Sequence, residues 1–251
     1  CPLSPDGAKT PMRTDLQNLD LTSHKKYRSV VGAALWIAMA TRPDMAFAAG
    51  FIGRKSHQPS AGDHARAERV LAYGYHTSGA RLVLGGKENT GLYGYVDSDH
   101  GGCLDTRRST TGIVLFYQGS PIAWVSRRQG SVSTSTSAAE YIAAAEAVAE
   151  IRWLRSILKE LGIDMTKPTP LYIDNEAAIK IGSKPTSLPA SKHIDIKYHV
   201  VREAHEDKLI TLHHVRTHEQ VADVLTKALN GPANRRGAAQ MRIRLQDDTE
   251  Q

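Results

Sequence analysis

Leu92-Tyr93-Gly94-Tyr95-Val96-Asp97 decides how this chain reads. It is a short aromatic and apolar run that passes directly into a carboxylate, the signature of a strand ending at a site. Arg81 to Leu84, closed by Gly85-Gly86, lies just upstream. Thr111 to Tyr117 and Pro121 to Val125 have the same strand character, and Gln118-Gly119-Ser120 between them is a hairpin turn. Residues 80 to 128 thus predict three consecutive antiparallel strands. From Thr136 to Leu161 the apolar period becomes 3.6, with hydroxyl residues at its start and Gly162 at its end. Thr169 to Ile173 reads as a strand, Asn175 to Ile181 as a short helix, and Ser183 to Ser191 as a loop with two prolines. Asp195 to Glu206 reads as a helix, Leu209 to Val215 as a strand, and Val221 to Leu229 as a final helix. The order β-β-β-α-β-α-α-β-α predicts an α/β fold: a five-stranded mixed sheet with helices on both faces, the later two strands lying beside the first.

Upstream, the pattern is helical. Residues 1–23 carry Pro2, Pro5, Gly7 and Pro11 and read as an extended or mobile lead-in. Tyr27, Val30, Val31, Leu35 and Ile37 recur at helical spacing, but the segment is apolar almost all round. Thr41-Arg42-Pro43-Asp44 breaks it, with Asp44 placed for the N-terminal end of a second helix. A third helix spans Asp63 to His76. The division is therefore a lead-in over 1–23, a small helical subdomain over 24–90, the sheet domain over 91–230 and a polar tail over 231–251. Two arrangements are open for the helices: folded back on the sheet, or a packing unit of their own with an exposed apolar patch. The all-round apolar character of the first helix favours the second.

Composition narrows the class. The chain has 251 residues, enough for one large domain or two small ones, and 41% hydrophobic with 23% charged content argues against wholesale disorder. Lys and Arg outnumber Asp and Glu by 32 to 26, a mild excess compatible with a polyanionic partner. Two cysteines, Cys1 and Cys103, exclude a disulfide framework and a cysteine-based zinc finger. No run approaches 18 apolar residues, so no transmembrane helix is expected. The chain opens on Cys1 without a basic segment followed by an apolar one, which reads as a cytoplasmic or nuclear piece of a longer protein, not a secreted one.

Four acidic residues fall where this topology gathers them. Asp97 ends the first strand of the sheet, Asp174 ends the fourth, Glu140 sits near the start of the long helix, and Asp223 opens the last. The first and fourth strands form a parallel pair, which sets Asp97 and Asp174 side by side at their carboxyl ends, where open sheets place ligands. Taken singly, an Asp after a strand is usually a turn or cap residue and a Glu in a long helix usually a solvated group. Together they crowd negative charge that cations must neutralise, and an oxygen-only donor set favours Mg²⁺ or Mn²⁺.

Tyr95-Val96-Asp97-Ser98-Asp99, Ser137-Ala138-Ala139-Glu140-Tyr141, Leu171-Tyr172-Ile173-Asp174-Asn175 and Val221-Ala222-Asp223-Val224-Leu225-Thr226-Lys227 together resemble the ribonuclease H domain of copia-type (Pseudoviridae) retrotransposon polyproteins. Arg108 to Gly112, Ala123 to Gln129 and Lys192 to His199 support the match. Tyr27 to Gly32 and Ala40 to Asp44 resemble the last part of the reverse transcriptase in the same polyproteins. The resemblance implies a ribonuclease H-like fold and a metal-dependent endonuclease that hydrolyses the RNA strand of RNA–DNA hybrids during reverse transcription. It places the catalytic and metal-binding set on Asp97, Glu140, Asp174 and Asp223, with two Mg²⁺ ions (Mn²⁺ substituting) ~4 Å apart and Asp97 bridging them. It prefers Asp97 over the nearby Asp99, which strand parity puts on the same face. The implied partners are an RNA–DNA hybrid and the rest of the reverse transcriptase polyprotein, in the cytoplasm, in virus-like particles or in the nucleus, with no membrane. His100 stands where the family often has Trp, and the 183–191 loop lacks the basic protrusion of bacterial ribonucleases H.

Further residues are candidates for holding nucleic acid. Ser135, Thr136 and Ser137, with Asn175, offer hydroxyl and amide groups at helix starts, where capping and contact with sugar and phosphate are compatible roles. Arg107, Arg108, Arg127 and Arg128 flank two predicted strands and form either a phosphate-binding patch or solvated charge. His218 precedes the segment bearing Asp223, where related enzymes carry an auxiliary histidine, while the histidine spacings give no zinc pattern. No Tyr-x-Asp-Asp polymerase motif is present. A non-catalytic module that positions hybrid, or an inactive transposon remnant, is the alternative reading.

Overall fold

The computed structural model describes residues 1–9, 21–85, 90–183 and 192–245. The loop expected over 183–191, the middle of the lead-in and the end of the tail fall largely outside these residues. The central sheet contains β2 (Leu92–Ser98), β3 (Thr110–Tyr117), β4 (Ser120–Arg128), β5 (Thr169–Ile173) and β6 (Ile210–His214) in the order β4-β3-β2-β5-β6. β2, β3 and β4 are antiparallel, and β2, β5 and β6 are parallel. This is the expected mixed sheet. Tyr95 pairs with Tyr172, which brings the carboxyl ends of β2 and β5 together.

Side-chain alternation divides the sheet between two cores. Val96, Ile113, Leu115, Leu171 and Ile173 pack against the long helix α5 (Thr136–Glu160), joined by α6 (Glu176–Ser183) and α7 (Lys192–Glu206). Ser135 caps α5, its hydroxyl accepting from the Ala138 N–H at 3.1 Å, and Gly162 adopts φ +78° where the chain leaves the helix.

The opposite face carries Val114, Phe116 and Trp124, and there the upstream helices lie. These are α2 (Leu21–Ala40), α3 (Ala46–Gly53) and α4 (Ala61–His76). Tyr27, Val31, Ala34, Ala38, Phe47, Phe51 and Ile52 share one buried cluster with the sheet residues, and the Trp124 indole N–H donates to the Ala38 carbonyl at 2.8 Å. The expected separate packing unit is therefore not what forms: β3 is apolar on both faces, and the helices supply its second cover. The all-round apolar character of α2 has another outlet. Its outer side stays exposed, with Trp36 at 77% and Met39 at 60% of full accessibility.

Other expectations also change. Leu3 is buried in the same core and Pro5–Lys9 forms a short helix, α1, so the lead-in is partly anchored. The segment read as a polar tail forms α8 (Gly231–Gln240), capped by Asn230, and a strand β7 (Ile243–Arg244) that pairs with β1 (Arg81–Leu82) in a separate two-stranded sheet. Ala238, Met241 and Ile243 are fully buried, which a count of polar residues conceals. Asp44 does not serve as a free dipole partner: buried, its carboxylate pairs with Arg42 at 2.7 Å and accepts from the Tyr73 hydroxyl at 2.7 Å.

A chain beginning at residue 91 should lack cooperative unfolding and bind a hydrophobic dye, because Val114, Phe116 and Trp124 lose their cover. The full chain should show one calorimetric transition. A truncated chain that melts as sharply as the full one would contradict the shared core.

Candidate active site

Asp97 is the sixth residue of β2 and pairs across the ladder with Gly112 of β3. Asp174 follows the last residue of β5, and Glu140 lies just past the first turn of α5. One ligand oxygen from each of the three carboxylates lies within 4.8 Å of the others. Asp97 and Glu140 are 3% and 2% accessible, and Asp174 is half-buried at the mouth.

Each carboxylate is fixed by the local fold. Glu140 Oε1 accepts the Ser98 N–H at 3.2 Å, while Glu140 Oε2 is buried without a hydrogen-bond partner. Asp97 Oδ2 lies 2.5 Å from the Thr226 hydroxyl. Burial, then the charge of Asp223, pushes Asp97 up to about 7. Burial, then Asp97 and Asp174, pushes Glu140 up to about 9. Asp174 is raised by burial and by Asp223. All three therefore resist ionisation as the site stands. An oxygen-only donor set, a buried oxygen with no partner and carboxyls waiting for positive charge fit a hard divalent cation.

Asp223 stands beside this trio rather than within it. The helix expected over 221–229 is a 3₁₀ turn over Val221–Leu225, and Asp223 Oδ1 pairs with the Lys227 ammonium at 2.7 Å. The turn can lie this close to β3 because of Gly112, where a Cβ would stand 2.7 Å from Thr226 Cγ2 and 2.9 Å from the Ala222 carbonyl oxygen. Asp99, the alternative ligand, points elsewhere: its Oδ1 accepts from the Thr110 N–H.

Sequence reasoning passed over the residues that hold these elements in place. Gln129, buried, donates from Nε2 to the Ala139 carbonyl at 2.9 Å and to Thr111 Oγ1 at 3.2 Å, tying the start of α5 to β3. Gln220 donates to the Val96 carbonyl at 3.0 Å, tying the 3₁₀ turn to β2. Nothing in their neighbours, Arg128 and Gly130 for Gln129 and Glu219 and Val221 for Gln220, marks either amide as buried.

The nucleic-acid candidates lie around this edge. Ser135 and Thr136 are exposed and Ser137 half-buried at the start of α5, while Asn175 Oδ1 accepts from the Ala178 N–H at 3.0 Å and caps α6. Thr110 pairs with Arg128 and Thr111 with Arg127, so the two arginine pairs stand at adjacent strand ends. Arg127 reaches Glu146 at 3.3 Å, and Arg128 lies 3.6 Å from Cys103 Sγ. Arg107 is exposed and in the left-handed region at φ 54°. His218 lines a small cavity of about 40 Å³ with Asp223 and Arg236, and its Nε2 is 3.8 Å from Glu219. No histidine joins a group of three metal-ligating side chains among the described residues.

The chain is 36% identical over 203 residues to the Retrovirus-related Pol polyprotein from transposon TNT 1-94 of Nicotiana tabacum, covering 81% of this chain and 15% of that protein. It is 34% identical over 233 residues to the corresponding protein from transposon RE1 of Arabidopsis thaliana, covering 92% of this chain and 16% of that one. Its homologues are thus copia-type Pol polyproteins of plant transposons, 34–36% identical over most of the chain. It spans about a sixth of the length of these relatives. Among solved structures it is similar to LC11-RNase H1 in complex with RNA/DNA hybrid, with a TM-score of 0.42, 17% identity, and coverage of 54% of this chain and 93% of that one. No protein-family model matches this chain. No helix among its described residues is long and apolar enough to cross a membrane.

The raised carboxyl values give a pH dependence of definite sign. Below the unfolded value near 4 these groups are protonated in both states and carry no penalty. As pH climbs through about 7, the value for Asp97, ionising them in the metal-free protein removes stability. Metal-free Asp97→Asn should therefore melt above the parent at pH 8, by about 2–4 °C for each kcal/mol recovered, with the gap closing by pH 4. Mg²⁺ should raise the melting temperature of the parent and not of Asp97→Asn. A variant that melts below the parent at pH 8 would show that the carboxylates do not repel one another there.

Proposed function

We propose that the chain is a ribonuclease H: an endonuclease that hydrolyses the RNA strand of RNA–DNA hybrids for a retrotransposon reverse transcriptase, using two Mg²⁺ ions for which Mn²⁺ substitutes. The observation that carries this reading is the convergence of Asp97, Glu140 and Asp174 with a buried, unpartnered oxygen on Glu140. When bound, the metal pair supplies an activated water and stabilises the leaving 3′ oxygen.

The chain's own residues would hold and orient. Asp97, Glu140 and Asp174 would share the cations, their ligand oxygens lying within 4.8 Å of one another. Asp223 contributes from the rim, its charge balanced by Lys227. The hydroxyls of exposed Ser135 and Thr136 and half-buried Ser137 are placed to meet sugar and phosphate in the wide minor groove of an A-like duplex, with Asn175 nearby. Arg107, Arg108, Arg127 and Arg128 would bind phosphates further along the strand, which fixes register without reading sequence. His218, exposed beside Asp223, serves as the auxiliary group. The remainder of the polyprotein is the expected protein partner.

The test is cleavage of a labelled hybrid in Mg²⁺ beside duplex RNA and duplex DNA. The full chain should cut only the RNA of the hybrid and should stop when the metal is chelated. Hybrid bound but never cut would leave the non-catalytic positioning role instead.

Asp97→Asn and Asp174→Asn should each abolish cleavage while circular dichroism stays unchanged. Asp99→Asn should retain most activity, because an amide oxygen still accepts from the Thr110 N–H. Full loss from Asp99→Asn with none from Asp97→Asn would reverse the assignment.

A further inference from the structure

The segment from Asp99 to Thr110 joins the strand bearing Asp97 to β3, and it is closely cross-tied. The Asp99 N–H donates to the Thr110 carbonyl at 3.2 Å, while the Thr110 N–H donates to Asp99 Oδ1. The Gly101 N–H donates to Ser109 Oγ at 3.1 Å. Gly102 has no room for a side chain, since a Cβ there would lie 1.8 Å from Asp99 Oδ2. Thr110 thus grips the chain two residues beyond Asp97.

Two cations reach this segment from the upstream helices. Lys55 meets Asp105 at 3.1 Å, but the pair is partly open to solvent and contributes little. Arg54 is different. It stands at the C-terminal end of α3 with its guanidinium 5.7 Å from the Phe47 ring centre and 5.2 Å from that of Phe51. Its Nη2 donates to Thr110 Oγ1 at 3.1 Å. Thr110 is 1% accessible, so this contact is shielded from water. An apolar side chain could fill the same space, and exchanging a buried charge for one is often neutral or stabilising. The guanidinium also faces Cys103 and the charge of Asp99, so what calls for it here is its polar grip on the Asp99–Thr110 segment, the Thr110 hydroxyl above all.

We propose that Arg54 is a positioning residue: by holding Thr110, and through it Asp99, it fixes the end of β2 and so lets the upstream helices set the geometry of the metal centre at Asp97. This rests on reading the carboxylate cluster as a metal centre. It makes the reverse-transcriptase-like helices a working part of the nuclease site rather than only a cover for the sheet.

The test uses the full chain, without nucleic acid, titrated with Mn²⁺ and followed by loss of the free-ion electron paramagnetic signal. The variants are Arg54→Met, Thr110→Val, Thr110→Ser and the Arg54→Met/Thr110→Val pair. Partners outside the ligand shell typically change metal affinity by about 10–100-fold, and Arg54 acts one contact further out, so a weakening of about 3–10-fold is expected for Arg54→Met and for Thr110→Val. The double variant should be no weaker than the weaker single, because both remove one contact. Thr110→Ser, which keeps the hydroxyl, should bind Mn²⁺ as the parent does. The Mg²⁺ needed for half-maximal hybrid cleavage should rise in parallel.

Unchanged Mn²⁺ affinity in Arg54→Met and Thr110→Val would overturn the proposal, as would additive losses in the double variant. So would normal Mn²⁺ binding with a raised KM for hybrid, which would make Arg54 a phosphate contact. If Arg54→Met does not fold, the Thr110→Val and Thr110→Ser comparison decides alone. A parent chain that binds Mn²⁺ but cuts no hybrid would defeat the nuclease reading while leaving this one standing or falling on the variants. A parent that binds no Mn²⁺ would defeat both.

Discussion

Three carboxylates within 4.8 Å, two of them nearly sealed from water, are held against their own repulsion. Everything around them can be understood as the restraint this requires. The parallel pairing of β2 with β5 brings Asp97 and Asp174 together, and α5 lays Glu140 across the strand end. Gln129 fixes α5 to β3, Gln220 fixes the 3₁₀ turn to β2, and Thr226 meets Asp97 directly. Buried polar contacts of this kind help specify one geometry. Within this one, Glu140 Oε2 is left without a partner, at the place where a cation belongs.

The same sheet depends on its other face. Val114, Phe116 and Trp124 are covered by helices that precede the nuclease-like region in sequence, and Leu3, Met241 and Ile243 close the core from the two ends of the chain. Asn234 of α8 also lies 3.3 Å from the Tyr73 hydroxyl, so the last helix and the upstream helices share a polar contact. The boundary near residue 90 is thus one of resemblance rather than of packing. The outer side of α2, with Trp36 and Met39, remains apolar and open.

Much of this was legible in the residues. The aromatic and apolar run Leu92 to Val96 and the β-branched and aromatic stretch Thr111 to Tyr117, with the hairpin at Gly119, pointed to the antiparallel half of the sheet, and right-handed crossovers ordered the rest. The acids stood out because each falls at the end of an element. What escaped was decided by contacts distant in sequence. Trp124 bonding to Ala38 cannot be inferred from either segment alone, so the helices' packing was misjudged. The buried positions of α8 and β7 are spread among arginines and glycines, so they were read as tail. Gly112 looked like any strand glycine, yet the approach of the Asp223 turn requires it. Gln129 and Gln220 carry no signal of role until the elements they join are in place.

The central claim is that these carboxylates form a divalent-cation site. The most direct measurement is an anomalous difference map from crystals of the full chain grown with Mn²⁺. The account predicts a strong peak bounded by Asp97, Glu140 and Asp174, with Glu140 Oε2 among its ligands. An empty cluster at saturating Mn²⁺, with Glu140 Oε2 still without a partner, would contradict it.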